Sequence, residues 1–284
     1  MNAAAQALPF SDVDIYIVGL GIVHLEQITP EVDNAISKSK TTLFVERGHG
    51  IKAYLQSKCR NIIDLTGLYS EDGDRQETYR RMAAATIQAA LDNPPVTLAL
   101  YGHPLIYSYP PFLVKEMAKR LALRTKTLPG ISALDCLFVD LGIDPAMNGL
   151  QMFEATELLL RDRPLFPDVP AVLWQIGALE TGLFSTRPST AERFTRFTAH
   201  LLKFYSRDHT VFAVHSSTHP LLRSEIFRFK IDEMESYAPA LHAGFTLYIP
   251  PVSMRPIADQ QLVQDSLDPS YLRTVTSEVF ADSQ

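Results

Sequence analysis

Apolar residues in this chain come in short dense runs, separated by longer stretches in which they recur every three or four positions. Residues 13–19 (VDIYIVG) are the first run, closed by Gly19-Leu20-Gly21. A run of that length and β-branched content predicts a buried strand. Residues 41–45 (TTLFV), 61–65 (NIIDL), 96–101 (VTLALY) and 123–128 predict further strands. Helical stretches lie between them. Thr29 offers a cap and Pro30 a first helical position, so a helix runs to about Lys38. Residues 50–58 predict a short helix, 76–91 a long one stopped at Asp92-Asn93-Pro94-Pro95, and 112–121 another. Strands alternating with helices imply a mostly parallel sheet covered on both faces.

The stretch 128–145 (LPGISALDCLFVDLGIDP) closes this half. Pro129-Gly130 is a turn signal. Ser132, three residues before Asp135, is a capping-box pattern. Ala133, Leu134, Cys136, Leu137, Phe138, Val139 and Leu141 make the helix apolar nearly all round, which predicts that it is buried. Gly142 suits the left-handed end position, and Asp144-Pro145 prevents continuation. A capped helix start behind a strand can hold a polar ligand, because its first amides point outward. An ordinary strand–helix connection explains the same residues.

The character changes beyond a boundary near 145–149. Residues 171–176, 210–215, 226–230 and 246–249 predict strands, with a long helix at 190–205. Fewer helices per strand imply a mixed sheet. That helix carries Phe194, Phe197, Leu201, Leu202, Phe204 and Tyr205, more aromatic surface than one sheet face easily covers. The expected organisation is a mobile arm at 1–12, an α/β domain at 13–145, a second α/β domain at 146–251, and a polar tail at 252–284, partly helical at best.

Composition narrows the function. Of 284 residues, 46% are hydrophobic and 20% charged, as in a soluble globular protein. A net charge of −6 argues against a nucleic-acid groove. No apolar run reaches membrane-spanning length, and the first residues lack a basic signal-peptide start. The two cysteines, Cys59 and Cys136, offer neither a disulfide framework nor metal spacing, which suggests a reducing cytoplasm.

Several motifs invite chemistry. Gly19-Leu20-Gly21 lacks the third glycine of a dinucleotide fingerprint, and Lys38-Ser39 stands where an acidic ribose partner belongs. His24, His49, His103, His200, His209, His215, His219 and His242 are scattered without metal-ligand spacing, so no metal is expected. Glu154 and Glu157 could do acid–base work, but helical spacing on a solvated face explains them more simply. Residues 67–79 (GLYSEDGDRQETY) are more unusual: two tyrosines flank an arginine, and Arg75 and Tyr79 share a face at a helix start. By itself the segment also reads as a surface loop with aromatic anchors.

Several stretches occur together in order: VGLG near the start, ALYGHPLIYSYP at 99–110, LPGISALDCLFVDLGIDP at 128–145, LWQIGA at 173–178 and GFTLYIPP at 244–251. The pattern resembles the tetrapyrrole methylase superfamily, the class III methyltransferases that use S-adenosylmethionine (SAM). With FEATELLLRDRP at 153–164, it is similar more narrowly to the borosin peptide α-N-methyltransferases, which methylate backbone amides of a precursor peptide. The resemblance implies two α/β domains with SAM between them and S-adenosylhomocysteine as product. It would set Tyr101, Gly102, His103 and Ile106 along the methionine part of SAM, and Ser132 and Ala133 at its polar groups. Gln175, Ile176, Ser216, Gly244, Phe245 and Thr246 would surround ribose and adenine. Tyr69, Arg75 and Tyr79 match the loop that faces the methyl group.

The mechanism implied is amide N-methylation. Tyr69 would accept the N–H proton, Arg75 would acidify that phenol and stabilise charge on the carbonyl oxygen, and Tyr79 would donate to the same oxygen, with the roles interchangeable. A tyrosine that borosins commonly place shortly before the position of Tyr69 is replaced here by Thr66. The ending TVTSEVFADSQ is short for a recognition segment plus an apolar core peptide, so a split enzyme acting on a separate precursor peptide is expected. Family members of this type are dimers, so a homodimer is expected too. A tetrapyrrole or side-chain acceptor, and a silent SAM-binding regulator, are the alternatives.

Overall fold

The computed structural model describes residues 13–46, 48 and 50–276, so the arm expected at 1–12 lies outside the described residues. The first sheet contains β1 (Ile15–Gly19), β2 (Thr41–Val45), β3 (Asn61–Asp64), β4 (Val96–Leu100) and β5 (Thr125–Leu128), in the order β3-β2-β4-β1-β5. Every pair is parallel. β1 (IYIVG) and β4 (VTLAL) are buried at every position, as strands covered on both faces must be. On one face α1 (Pro30–Lys38) and α2 (Ile51–Lys58) bring Val32, Ile36 and Leu55 against Tyr16, Val18 and Phe44. On the other, α3 (Arg75–Asp92) and α4 (Pro110–Arg120) bring Met82, Ile87 and Val114 against Ile17, Leu43 and Leu98. The Thr29 side chain accepts from Val32 N with Pro30 at the first turn, as the sequence implies.

The helix α5 (Ala133–Leu141) has the full capping box, and Gly142 ends it at φ 63°. Its expected burial is corrected, however: among its residues only Leu137 is buried, and Val139 is 82% exposed. The cause is position. β5 is an edge strand, so α5 flanks the sheet and packs one face on the second sheet, through Leu134, Leu137, Phe138 and Leu141. Asp140 reinforces that contact by accepting from Ser216 Oγ at 2.6 Å and Ser224 Oγ at 2.8 Å.

The second sheet is mixed, in the order β6-β7-β10-β8-β9. Its strands are β6 (Gln151–Glu154), β7 (Ala171–Trp174), β8 (Thr210–His215), β9 (Glu225–Lys230) and β10 (Thr246–Ile249). Only β6 and β7 run parallel; the other pairs are antiparallel. β6 escapes the sequence reading, because an edge strand of QMFE has no buried position to mark it, whereas the helical spacing read at Glu154 and Glu157 falls at the short α6 (Ala155–Leu160). The helix expected at 190–205 is a 3-10 turn followed by α7 (Thr195–Leu201), with α8 (Met234–Tyr237) packed close to both. Its aromatic side chains are not surplus surface: Phe194, Phe197 and Tyr205 lie in the core of this sheet. In the tail, α9 (Gln260–Asp265) and α10 (Pro269–Val275) have no buried residue.

Candidate functional site

Three loops meet where β4, β1 and β5 end side by side. A side chain on Gly19 would meet Gly102 O at 2.3 Å and Gly130 Cα at 2.8 Å, so these backbones touch only because they carry none. Gly102 itself sits at φ 67° and bridges Gly21. The C-terminal edge of a parallel sheet is where ligands bind in open α/β folds. Here that edge opens into a cavity of about 330 Å³ between the two sheets.

The structure brings most of the sequence-expected residues to this cavity. Tyr101, Gly102, His103 and Ile106 line it from the first sheet, and Ser132 and Ala133 from the start of α5. Gln175, Gly244 and Thr246 face them from the second sheet. Ser216 lies in a narrow extension that Tyr101, Ala133, Gly244 and Thr246 share. Ile176 and Phe245 are placed differently: both side chains are buried in the core of the second sheet and line neither space. They follow Gln175 and Gly244 in the chain, and their turn to the opposite side is decided by core packing.

Local chemistry qualifies two of these residues. The Ser132 hydroxyl is used in the cap, donating to Asp135 Oδ2 at 2.6 Å while accepting from Asp135 N. What the helix start offers a ligand is therefore its backbone. His103 Nδ1 accepts from Leu105 N at 3.1 Å, which leaves the proton of the neutral ring on Nε2. Burial pulls the His103 pKa down and the nearby Asp135 only partly offsets it, so the neutral ring is favoured. Gly102 and Gly244 bring glycine backbone to the cavity from the first and the second sheet. These features fit a small polar cofactor such as SAM.

A second, larger space adjoins the first. It is an open cleft of about 750 Å³. Tyr79, Tyr107, Ser108, Tyr109 and Gln175 line both, and so form the wall between them. Tyr69 lines the smaller cavity and Arg75 the cleft, so the expected trio spans the boundary, with Tyr79 on it. The Tyr69 ring lies 6.4 Å edge-on to Tyr79 and 4.8 Å from Phe184.

Arg75 differs from expectation. Its guanidinium donates to Gly182 O at 3.3 Å, Thr181 O at 2.5 Å and Gln175 Oε1 at 3.3 Å. It therefore fastens α3 to the loop behind β7. The segment around it is fastened too. Asp74 pairs with Leu183 as a β-bridge, and Asp72 N and Phe184 N bond Phe184 O and Gly73 O. Glu71 accepts from the Ser185 hydroxyl, from Thr186 N at 3.0 Å and from Arg187 Nε at 3.1 Å. Those hydrogen bonds, the Ser185 hydroxyl first, pull the Glu71 pKa down to about 2. Residues 69–75 are thus a clasp across the two sheets, not a loose surface loop.

His215, Glu225 and His242 gather at the rim beside Gly244. His242 Nδ1 accepts from Gly244 N at 3.1 Å. Sequence reasoning missed Tyr107, Ser108, Tyr109 and Trp174, all of which line the site. They lie inside the quoted YGHPLIYSYP and LWQIGA segments, so adjacency was the available signal. Glu154, assigned to a solvated face, instead lines the cleft.

The family model of the tetrapyrrole (corrin/porphyrin) methylases matches residues 14–235, and the chain belongs to that family. Among relatives, it is 31% identical over 248 residues to the methyltransferase/ribosomally synthesized type III borosin cyclic peptide precursor aboMAa of Anomoporia bombycina, covering 87% of this chain and 29% of that protein. It is 30% identical to the gymnopeptides precursor gymMA1 of Gymnopus fusipes, covering 84% and 57%. The chain thus spans less than two thirds of the length of these relatives. Among solved structures, the methyltransferase CobJ superposes with a TM-score of 0.59 at 12% identity, over 86% of this chain and 96% of that one. The uroporphyrin-III C-methyltransferase of Thermus thermophilus, complexed with S-adenyl homocysteine, gives 0.59 at 14% identity, over 83% and 96%. At such identities these likenesses concern the fold.

Proposed function

We propose that this protein transfers methyl groups from SAM to backbone amide nitrogens of a ribosomal precursor peptide supplied as a separate chain. The observation that carries this is the pairing of two spaces: a cavity of about 330 Å³ and an open cleft of about 750 Å³ that share a tyrosine-lined wall. The printed names of the relatives, each a methyltransferase joined to a borosin or cyclic peptide precursor, support a peptide acceptor. The described residues 252–276 line neither space.

SAM supplies an electrophilic methyl and a sulfonium leaving group. The chain's own residues must activate the amide, whose nitrogen lone pair is delocalised into the carbonyl. In this reading Tyr79 donates to the carbonyl oxygen as charge builds there, and Tyr69 takes the N–H proton. Arg75 holds the clasp that sets both rings. Tyr101, Gly102, His103, Ser132, Ala133, Gln175, Gly244 and Thr246 cradle the cofactor, with Ser216 at its far end. The two sheets with their helices form separate domains, 13–145 and 146–251. The protein acts as a homodimer in the cytoplasm, its cysteines Cys59 and Cys136 both free thiols. Among the described residues no helix is long and apolar enough to cross a membrane.

The test is incubation with SAM and a peptide encoded beside the gene that ends in an apolar run. Tandem mass spectrometry should place added methyls on backbone nitrogens. Methyls on side chains, or on a tetrapyrrole offered in parallel while peptides stay unmodified, would sink the reading.

A further inference from the structure

Glu154, which lines the cleft, and Trp174, which lines the cavity, each carry a buried polar atom with no hydrogen-bond partner. Glu154 ends β6 and Trp174 ends β7, and the parallel register sets them side by side. Phe153 and Leu173 pack into the core of the second sheet, so strand alternation turns Glu154 and Trp174 toward the first. One carboxylate oxygen of Glu154 accepts from Glu157 N at 2.7 Å, capping α6. The other, Oε1, is buried without a hydrogen-bond partner. Trp174 Nε1 is buried and unpartnered as well, in a side chain only 6% exposed. Buried polar atoms are almost always paired, so each orphan demands an explanation. An acceptor and a donor orphaned at adjacent strand positions suit a molecule that offers both.

Tyr107 covers this pair. Its ring stacks on the indole with centroids 4.8 Å apart. Its backbone is left-handed at φ 49°, as is that of Gln175 at φ 59°. Non-glycine residues seldom hold that conformation, and where they do they cluster at ligand clamps and switches. Burial, then the Glu154 carboxylate, pushes the Tyr107 phenol up to about 12, so it stays neutral and can turn aside without exchanging a proton.

We propose that Glu154 and Trp174 form a subsite for unmethylated peptide backbone, and that Tyr107 swings away to admit it. The acceptor peptide's N–H donates to Glu154 Oε1, and a peptide carbonyl accepts from Trp174 Nε1. An amide already methylated has no N–H to offer and is not held. The inference rests on the peptide reading above. A macrocycle rimmed with carboxylates would be repelled by Glu154.

Trp174 is the only tryptophan of the chain, so its indole N–H gives a single cross-peak in a nitrogen-15 correlation spectrum. The full chain, saturated with S-adenosylhomocysteine, is titrated with an end-capped peptide of valine and isoleucine carrying a lysine at each end. The expected result is a saturable shift of that cross-peak which S-adenosylhomocysteine alone does not produce. Glu154→Gln should weaken the peptide by roughly tenfold or more, as expected for loss of a charge-assisted bond, while affinity for S-adenosylhomocysteine holds. The same peptide with every backbone nitrogen methylated should bind the wild type about as weakly, and Glu154→Gln should weaken it no further. Trp174→Phe keeps the stacked ring and deletes the N–H, and calorimetry should show the same selective loss even if Glu154→Gln fails to fold. A full shift on S-adenosylhomocysteine alone assigns the indole to the cofactor and overturns the subsite. Equal peptide binding by wild type and both variants overturns it too, with the peptide reading left standing. A peptide that binds nowhere, together with an unmodified precursor in the mass spectra, overturns both.

Discussion

Tyr79 stands where the two spaces meet, its ring 6.4 Å from Tyr69 and 6.3 Å from Tyr109. If its hydroxyl bonds the amide oxygen only as charge develops, Tyr79→Phe should lower single-turnover methylation by roughly 10²–10³ with SAM affinity unchanged. Loss of SAM binding alongside activity would assign the ring to the cofactor instead. Arg75 calls for a different experiment, because its guanidinium holds two backbone carbonyls and the Gln175 amide. Lysine keeps the charge but cannot reproduce the planar fork. Arg75→Lys should lower turnover and also cost about 1 kcal/mol, some 2–4 °C in melting temperature for a chain of this size. Hydrogen exchange should rise at 181–184 in that variant. Unchanged protection there would remove the clasp from the explanation.

Among the elements, the clasp and α5 make separate predictions. The Glu71 pKa is lowered to about 2 by its partners at 185–187, against an ordinary value of 4.5. A depressed acid stabilises the folded state above its unfolded pKa, and that contribution is lost as pH falls toward the folded value. The clasp should therefore hold at neutral pH and loosen between about pH 4.5 and 2. Glu71→Gln should show faster exchange at 182–187 already at pH 7 and lose the acid dependence of that segment. For α5, Ser132→Ala removes the cap and should cost about 1 kcal/mol in thermal denaturation. Because the hydroxyl is already bonded within the cap, SAM affinity should change by less than stability does. A selective loss of SAM binding would show that the hydroxyl leaves Asp135 for the ligand.

For the molecule as a whole, the question is what covers α5. Val139 is 82% and Met147 72% exposed. A second copy packed there would cover Val139 and Met147, which the packing of α5 on the second sheet leaves exposed. Light scattering should give about twice the 31.7 kDa chain mass at micromolar concentration. Val139→Glu should shift that mass toward one chain without disturbing the capping box. A single-chain mass for the wild type would reject the dimer.

Much of this was legible in the sequence, and the physical reasons differ by element. Strands buried on both faces, such as β1 and β4, must be apolar throughout, so their runs stand out. Caps are local chemistry, and Thr29, Ser132 and Gly142 act within a few residues of themselves. Ordered motifs such as YGHP and PGIS were enough to suggest the family. Burial and partnership were not legible, because both depend on residues far away in the chain. Pattern alone could not show that α5 would flank an edge strand, or that Ile176 and Phe245 would turn into a core. Arg75 meets Gly182 and Thr181 across more than a hundred residues. Glu154 became a cleft residue only when β6 paired with β7 and set it beside Trp174. Local sequence determined the elements and their ends, and the docking of one sheet on the other decided which side chains face the site.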